Sequence, residues 1–263
     1  MNSSYKDRMD KLGITPSKSL GQNFLIDEGL ACRIVDAAKI SKDETVLEIG
    51  PGLGVLTEKL ESISGKLILV ERDDDLFRYL KGKFSLENVE IIHGDVLNID
   101  LPNFDKVVSN LPFSISSPIT FKLLDQDFKT GVLTYQKEYA DRMLAEVGEK
   151  NYSRLTVMVS THAEVERLFD IPKDRFYPSP KIDATVVKLT PKEPDFNLKY
   201  PDVFSEVVRQ LFSYRRKMIR NALNVGFGIE KNKDIPYQDK RVGNLSPVQI
   251  NEITNYLVKK KIL

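Results

Sequence analysis

The chain has no tryptophan, a single cysteine at Cys32 and only two histidines, His93 and His162, in 263 residues. One thiol forms no internal disulfide, and neither it nor the separated imidazoles offer the ligand spacing of a zinc site, so no metal is expected. No apolar run approaches the ~20 residues of a membrane span, and the opening Met1-Asn-Ser-Ser-Tyr-Lys-Asp-Arg8 lacks the apolar core of a signal peptide. An excess of one charge is also missing: 39 basic against 38 acidic residues leave +1, with 29% charged and 41% hydrophobic residues. That balance excludes a disordered acidic chain and a polycationic arm. A soluble globular protein remains, and the expectations are a reducing, cytoplasmic setting, a monomer and no membrane partner. Cys32 and both histidines read as packed or solvent-facing side chains rather than reactive groups.

At roughly 150 residues per domain, the length allows one large domain or two unequal ones. Short apolar runs bounded by turn signals recur at Thr45–Ile49, Lys66–Glu71, Val89–Ile92, Asp105–Ser109 and Gly131–Gln136. They read as buried strands. Segments with helical spacing alternate with them, such as Leu30, Ile34, Ala37 and Ala38 before the first strand and Leu76, Tyr79, Leu80 and Phe84 before the third. Strand alternating with helix predicts an α/β domain with a parallel sheet covered on both faces. This domain is expected over 1–190, opening with a mobile arm over about 1–15. Pro191, Pro194 and Pro201 punctuate a polar linker over 191–202, and no strand pattern follows. In 203–223, Phe204, Val207, Val208, Leu211, Tyr214, Met218 and Ala222 fall on one helical face. Ser246-Pro-Val-Gln249 carries an N-cap serine, a first-turn proline and a capping-box glutamine, so a helix starts at about Pro247. A small all-helical domain over 203–263 results.

The most informative local feature is Glu48-Ile-Gly50-Pro-Gly52-Leu-Gly54, between the first strand and a helix. Glycine there lets the backbone turn sharply and approach a ligand. The dinucleotide fingerprint requires a glycine where this chain has Val55, which argues against a pyrophosphate cradle and a dehydrogenase. Glu71 ends the second strand about 20 residues on, where a carboxylate accepts both hydroxyl hydrogens of a ribose. Gly94-Asp95 follows the third strand. A carboxylate at each of two successive strand ends suits a nucleoside with hydroxyls and an amine but no phosphate, a description that S-adenosylmethionine meets.

The fourth strand ends in Asn110-Leu-Pro-Phe113. An amino group on a nucleobase is a poor nucleophile because its lone pair is delocalised into the ring. The Asn110 side-chain oxygen and the Leu111 carbonyl can accept its two hydrogens and favour a pyramidal nitrogen. Pro112 fixes the turn and Phe113 stacks on the base. Such a site acts by position and electrostatics, without a metal or strong base.

Taken together, Lys18-Ser-Leu-Gly-Gln-Asn-Phe-Leu25, Glu48-Ile-Gly-Pro-Gly52, Asn110-Leu-Pro-Phe113, Gln136-Lys-Glu138 and Phe176-Tyr-Pro-Ser-Pro-Lys-Ile-Asp183 resemble the KsgA-type ribosomal RNA adenine dimethyltransferases. The resemblance covers nearly the whole chain in order. It implies a Rossmann-like seven-stranded methyltransferase domain with a small helical domain. It also implies transfer of two methyls to N6 of each of two adjacent adenosines near the 3′ end of small-subunit ribosomal RNA during ribosome biogenesis. By the same resemblance Asn23, Leu25, Gly50, Gly52, Glu71, Asp95 and Asn110 contact the cofactor, while Phe113 and Phe176 sandwich the flipped target base. Two departures are Phe113, where many relatives have tyrosine, and Ser179, where proline is frequent.

Lys18, Lys181, Arg209, Arg215, Arg216, Lys217 and Arg220 are the expected RNA contacts. As one helix, 203–220 places Arg209, Arg216 and Arg220 on a shared face, as phosphate-contacting side chains would be. The Arg215-Arg-Lys-Met-Ile-Arg-Asn221 stretch resembles the small-subunit enzymes more than the antibiotic-resistance methyltransferases that act on large-subunit RNA. Those enzymes, and a non-catalytic RNA-binding assembly factor on the same fold, are the alternatives.

Overall fold

The five apolar runs become strands in the computed structural model, which describes residues 7, 9–17, 20–84, 86–231 and 234–263. They are β1 (Thr45–Ile49), β2 (Lys66–Glu71), β3 (Val89–His93), β4 (Lys106–Asn110) and β5 (Thr130–Gln136). Two more, β6 (Ala163–Ile171) and β7 (Ala184–Pro191), complete a seven-stranded sheet of order β3-β2-β1-β4-β5-β7-β6. Ala163–Ile171 escapes the sequence reading because it is an edge strand, mostly half-exposed or exposed, in which charged residues interrupt the apolar ones. The first five strands are parallel, whereas β7 runs antiparallel to β5, from Gly131↔Leu189 to Gln136↔Ala184.

Helix α1 (Glu28–Ala37) precedes β1, and helices α2 (Thr57–Ile63), α3 (Asp74–Lys83) and α4 (Ser116–Leu124) lie in the crossovers β1–β2, β2–β3 and β4–β5. Asp27 and Asp73 cap α1 and α3, each side chain accepting backbone N–H groups that the first turn would otherwise leave unpaired. Ile34, Val46, Leu60, Leu67, Val108, Val132 and Val186 form the dry centre of this unit. Strand order reverses between β1 and β4, and in open α/β sheets the crevice at such a switch point binds ligands.

Met9 and Ile14, 1% and 5% exposed, pack with Phe24, Leu53 and Leu76. Residues 9–14 are therefore docked rather than mobile, and residues 1–6 and 8 of the arm expected over about 1–15 lie outside the described residues.

The chain divides into one compact unit of 1–140 with 166–191 and another of 141–165 with 192–263. The sequence boundary at 190 thus misses an exchange: α6 (Arg154–His162), after α5 (Lys137–Met143), belongs with the C-terminal unit. There Val157 joins Phe204, Val208, Leu211, Leu223, Ile250 and Leu257 in one core. Only long-range packing reveals this, because a helix pattern does not say which core it faces.

The second unit is helical, with α7 (Pro201–Ser213), α8 (Ile219–Phe227) and α9 (Pro247–Lys259). The capping box predicted at Ser246 and Gln249 is formed. The single helix predicted over 203–223 is instead broken after Ser213. Backbone N–H groups of Val242 and Gly243 take the carbonyls of Lys217 and Arg215 at 3.0 Å each, and Met218 bridges Arg241. Those tertiary hydrogen bonds replace the helical ones. Among the described residues no helix is long and apolar enough to cross a membrane.

Candidate active site

The loop after β1 holds Gly50, Gly52 and Gly54 at φ of 62°, 60° and 84°. Gly52 has a second requirement: a Cβ there would meet Phe24 Cδ1 at 2.6 Å. At Gly50 a Cβ would press on the Pro112 ring at 3.2 Å, so the loop lies against the turn after β4. The resulting cleft, about 230 Å³, is lined by Asn23, Gly50, Gly52, Glu71, Asp95 and Asn110, which are six of the seven predicted cofactor contacts. Leu25 is the exception. It is 3% exposed, packs in the core with Phe176 and borders only an adjoining void with Glu48 and Asn110.

Glu71 is 5% exposed at the end of β2. Its Oε1 accepts the backbone N–H groups of Arg72 and Asp73 at 2.8 and 2.9 Å, and Oε2 accepts that of Gly52 at 3.4 Å. Burial nevertheless pushes its carboxyl up to about 7, the three N–H donors opposing the rise and the Asp73 charge adding to it. Glu48, beneath the loop, is pushed up to about 8 by burial, against the hydrogen bond of 2.7 Å from the Thr57 hydroxyl. Asp95 receives the Leu97 N–H at 3.0 Å and pairs with Arg72 at 3.1 Å. The donor set fits a nucleoside: one carboxylate already fixed by main-chain donors for a diol, a second for an exocyclic amine, and a loop whose glycines admit close approach.

Asn110, last residue of β4, points its Nδ2 at the Asn23 carbonyl, 2.9 Å away. Its Oδ1 is buried and has no partner among the described residues. A buried, unpaired amide oxygen at a cleft costs about 1–3 kcal/mol unless a ligand satisfies it. Leu111 is 1% exposed, so its side chain anchors the turn and a role toward substrate falls to its main chain alone. Pro112 lines the cleft.

The aromatic pair differs from expectation. Phe113 and Phe176 are 6.2 Å apart and 64° from parallel, and Phe176 is wholly buried. A sandwich needs two facing parallel rings with a base between them, so these edge-on rings form no slot in this conformation. Phe113 is half-buried.

The sequence reading missed Gln22, Phe24 and Arg72, which also line the cleft. Gln22 and Phe24 flank Asn23 in the stretch Lys18–Leu25, so position was the available signal. For Arg72 there was none beyond adjacency to Glu71.

In the second unit the break after Ser213 removes the shared helical face for Arg209, Arg216 and Arg220. Arg209 is held by Glu206 through bonds of 2.7 and 2.6 Å, Arg220 pairs with Asp239, and Arg215 donates to the Glu149 carbonyl. Arg216 and Lys217 are exposed on the turn between α7 and α8, and Lys181 is exposed in the first unit. Lys18 lies outside the described residues.

A family model described as ribosomal RNA adenine dimethylase matches residues 15–259. The chain is 41% identical over 265 residues to the "Probable ribosomal RNA small subunit methyltransferase A" of Thermococcus kodakarensis, covering 96% of this chain and 94% of that protein. Against the protein of the same name from Methanosarcina acetivorans it is 45% identical over 250 residues, 91% of this chain and 93% of the other. It is similar in structure to a dimethyladenosine transferase from Plasmodium falciparum, with a TM-score of 0.80, 32% identity, and 90% and 98% of the two chains covered. A 23S rRNA methyltransferase, ErmE, gives a TM-score of 0.67 at 25% identity, covering 90% of this chain and 100% of that one.

Proposed function

The chain belongs to the ribosomal RNA adenine dimethylase family, and from that premise we propose that it methylates N6 of two adjacent adenosines, twice each, near the 3′ end of small-subunit ribosomal RNA. S-adenosylmethionine is the proposed methyl donor and the assembling small subunit the proposed partner. The observation that carries the reading is the unpaired Asn110 Oδ1 at the mouth of a cleft whose other polar groups suit a nucleoside. Over the aligned residues the two relatives named for the small subunit are 41% and 45% identical to this chain, and the 23S enzyme is 25% identical.

When bound, the donor would supply a methyl group already activated by its sulfonium. The protein's part is then placement and charge. Glu71 accepts hydroxyl hydrogens of the donor's ribose, and Asp95 accepts from its exocyclic amine. Asn110 Oδ1 accepts a hydrogen from the target amino group and draws its lone pair out of conjugation, while Phe113 covers one face of the base. Removing a base from its stack costs a few kcal/mol, which such contacts offset.

Arg216 and Lys217 are the exposed cations of the second unit best placed to meet phosphate. Replacing both by alanine is expected to weaken RNA binding and to reduce the slope of log K against log salt by about 1.5, from about 0.7–0.9 per phosphate contact. Filter binding across a salt series checks this, and an unaltered slope would remove these residues from the interface. Arg220→Ala should matter less, because Asp239 already neutralises that side chain.

The function itself is tested with labelled S-adenosylmethionine and undermethylated small subunits, followed by nuclease digestion and mass spectrometry. N6,N6-dimethyladenosine is the expected product. Modification of large-subunit RNA instead would favour the resistance-type activity, and binding without modification of either RNA would favour an assembly factor.

A further inference from the structure

The segment Leu20–Phe24 is pinned against the cleft from three directions. Gln22 Nε2 donates to Asp73 Oδ2 at 3.3 Å, and its Oε1 accepts the Ser17 backbone N–H at 2.7 Å. The Ser114 hydroxyl donates to the Leu20 carbonyl at 3.1 Å. Gly21, at φ +66°, lies so close that a Cβ would come within 2.6 Å of Ser114 Oγ, and the Phe24 ring covers Gly52. So fastened, the main chain presents the Asn23 carbonyl to Asn110 Nδ2.

An asparagine side chain has a donor end and an acceptor end of nearly the same shape, which a half-turn of the amide exchanges. Facing water, the two orientations are close in energy. Facing a fixed carbonyl they are not. One places N–H on the oxygen, and the other sets two acceptors against each other at hydrogen-bond distance in a site screened from water. The Asn23 carbonyl therefore selects the orientation in which Oδ1 is turned away from it, and that is the atom left without a partner.

We propose that this segment is a positioning element for the methyl-transfer step: it fixes the Asn110 amide so that its oxygen faces the target amine. Gln22 and Ser114 are the positioning residues, acting through the Asn23 main-chain carbonyl. The proposal rests on the functional reading above and assigns the segment a part in the chemistry beyond holding the methyl donor.

Two readouts separate the cases, using the full chain. In isotope-labelled protein, the Asn110 side-chain amide signal, identified by its loss in Asn110→Asp, is expected to exchange slowly with solvent. Exchange should become at least about tenfold faster in Gln22→Ala/Ser114→Ala, since each lost hydrogen bond is worth about a factor of 2–12. Single-turnover methyl transfer at saturating S-adenosylmethionine should fall about tenfold, with the Kd for S-adenosylmethionine changed less than threefold, and Ser114→Thr should retain the native rate. Should the double variant not fold, Ser114→Ala alone carries both measurements at about half the logarithmic effect. Unchanged amide exchange overturns the proposal. So does a loss confined to Kd with the single-turnover rate intact, which would leave the segment as a clamp on the methyl donor. If the native protein methylates no RNA, the functional reading fails, and the amide exchange still decides whether the segment orients Asn110.

Discussion

Asn110→Ala is expected to lower the rate of methyl transfer by about 10²–10³-fold, the loss seen when one preorganised polar group at a reacting centre is removed. The target amine is then left conjugated into its ring, and among the described cleft-lining residues no other buried side-chain polar atom is unpaired to replace Oδ1. Binding of S-adenosylmethionine should change only a few-fold, because Glu71, Asp95 and the glycine loop are untouched. Asn110→Asp is the sharper companion. It keeps an acceptor oxygen but sets a carboxylate against the Asn23 carbonyl, so it should be nearly as slow as alanine. Single-turnover kinetics with calorimetric Kd values measures both. A variant with native rate would show that the amide oxygen takes no part in the transfer.

The second large effect is at Glu71. Glu71→Gln is expected to weaken S-adenosylmethionine binding by about 10–100-fold, since hydrogen bonds to a charged partner are worth about 1.5–3 kcal/mol. The amide retains one oxygen for the Arg72 and Asp73 N–H groups but sets its NH2, a donor, where the carboxylate accepted the Gly52 N–H and would face the ribose hydroxyls. A pH dependence accompanies this. With the carboxyl of the empty site pushed up to about 7, Glu71 holds a proton below that pH. Hydroxyl donors favour the charged form, so binding expels the proton, and affinity rises with pH up to about 7 and levels off above it. The steepest change is about tenfold per pH unit. Titration calorimetry from pH 5.5 to 8.5 should show that slope in the native protein and a flat profile in Glu71→Gln. An equally steep profile in the variant would place the linked proton elsewhere. The same raised value works against the folded state on its own: between about 4.5 and 7 the native chain holds a proton that the unfolded chain has released, so stability without ligand falls as pH rises.

Much of the site was legible because it is built at strand ends. A strand is announced by a short apolar run, and the residue that terminates it is placed at the sheet edge whatever the rest of the chain does. Glu71, Asp95 and Asn110 could therefore be assigned to one crevice before any packing was known. The glycine loop was legible for a similar reason, as positive φ and close approach leave a local mark in residue type. Helix starts with capping chemistry, such as Ser246 with Gln249, were equally plain.

What misled was everything decided by a distant partner. The pattern from Phe204 to Ala222 is helical throughout, yet backbone bonds from residues 242 and 243 break it, and with it the common face of the arginines. The helix Arg154–His162 carries no mark of the core it joins. Phe176, which the resemblance pairs with Phe113 around a base, is buried in the core with Leu25.

By itself, then, the amino-acid order determined the α/β class, the strand ends that carry polar groups and the chemistry those groups can perform, since each depends on residue type and short spacing. The tertiary structure alone decided which way the Asn110 amide faces, which cations are free and where the two units divide. The bond that orients Asn110 joins residues 87 apart in the chain, and no local propensity encodes a partner at that distance.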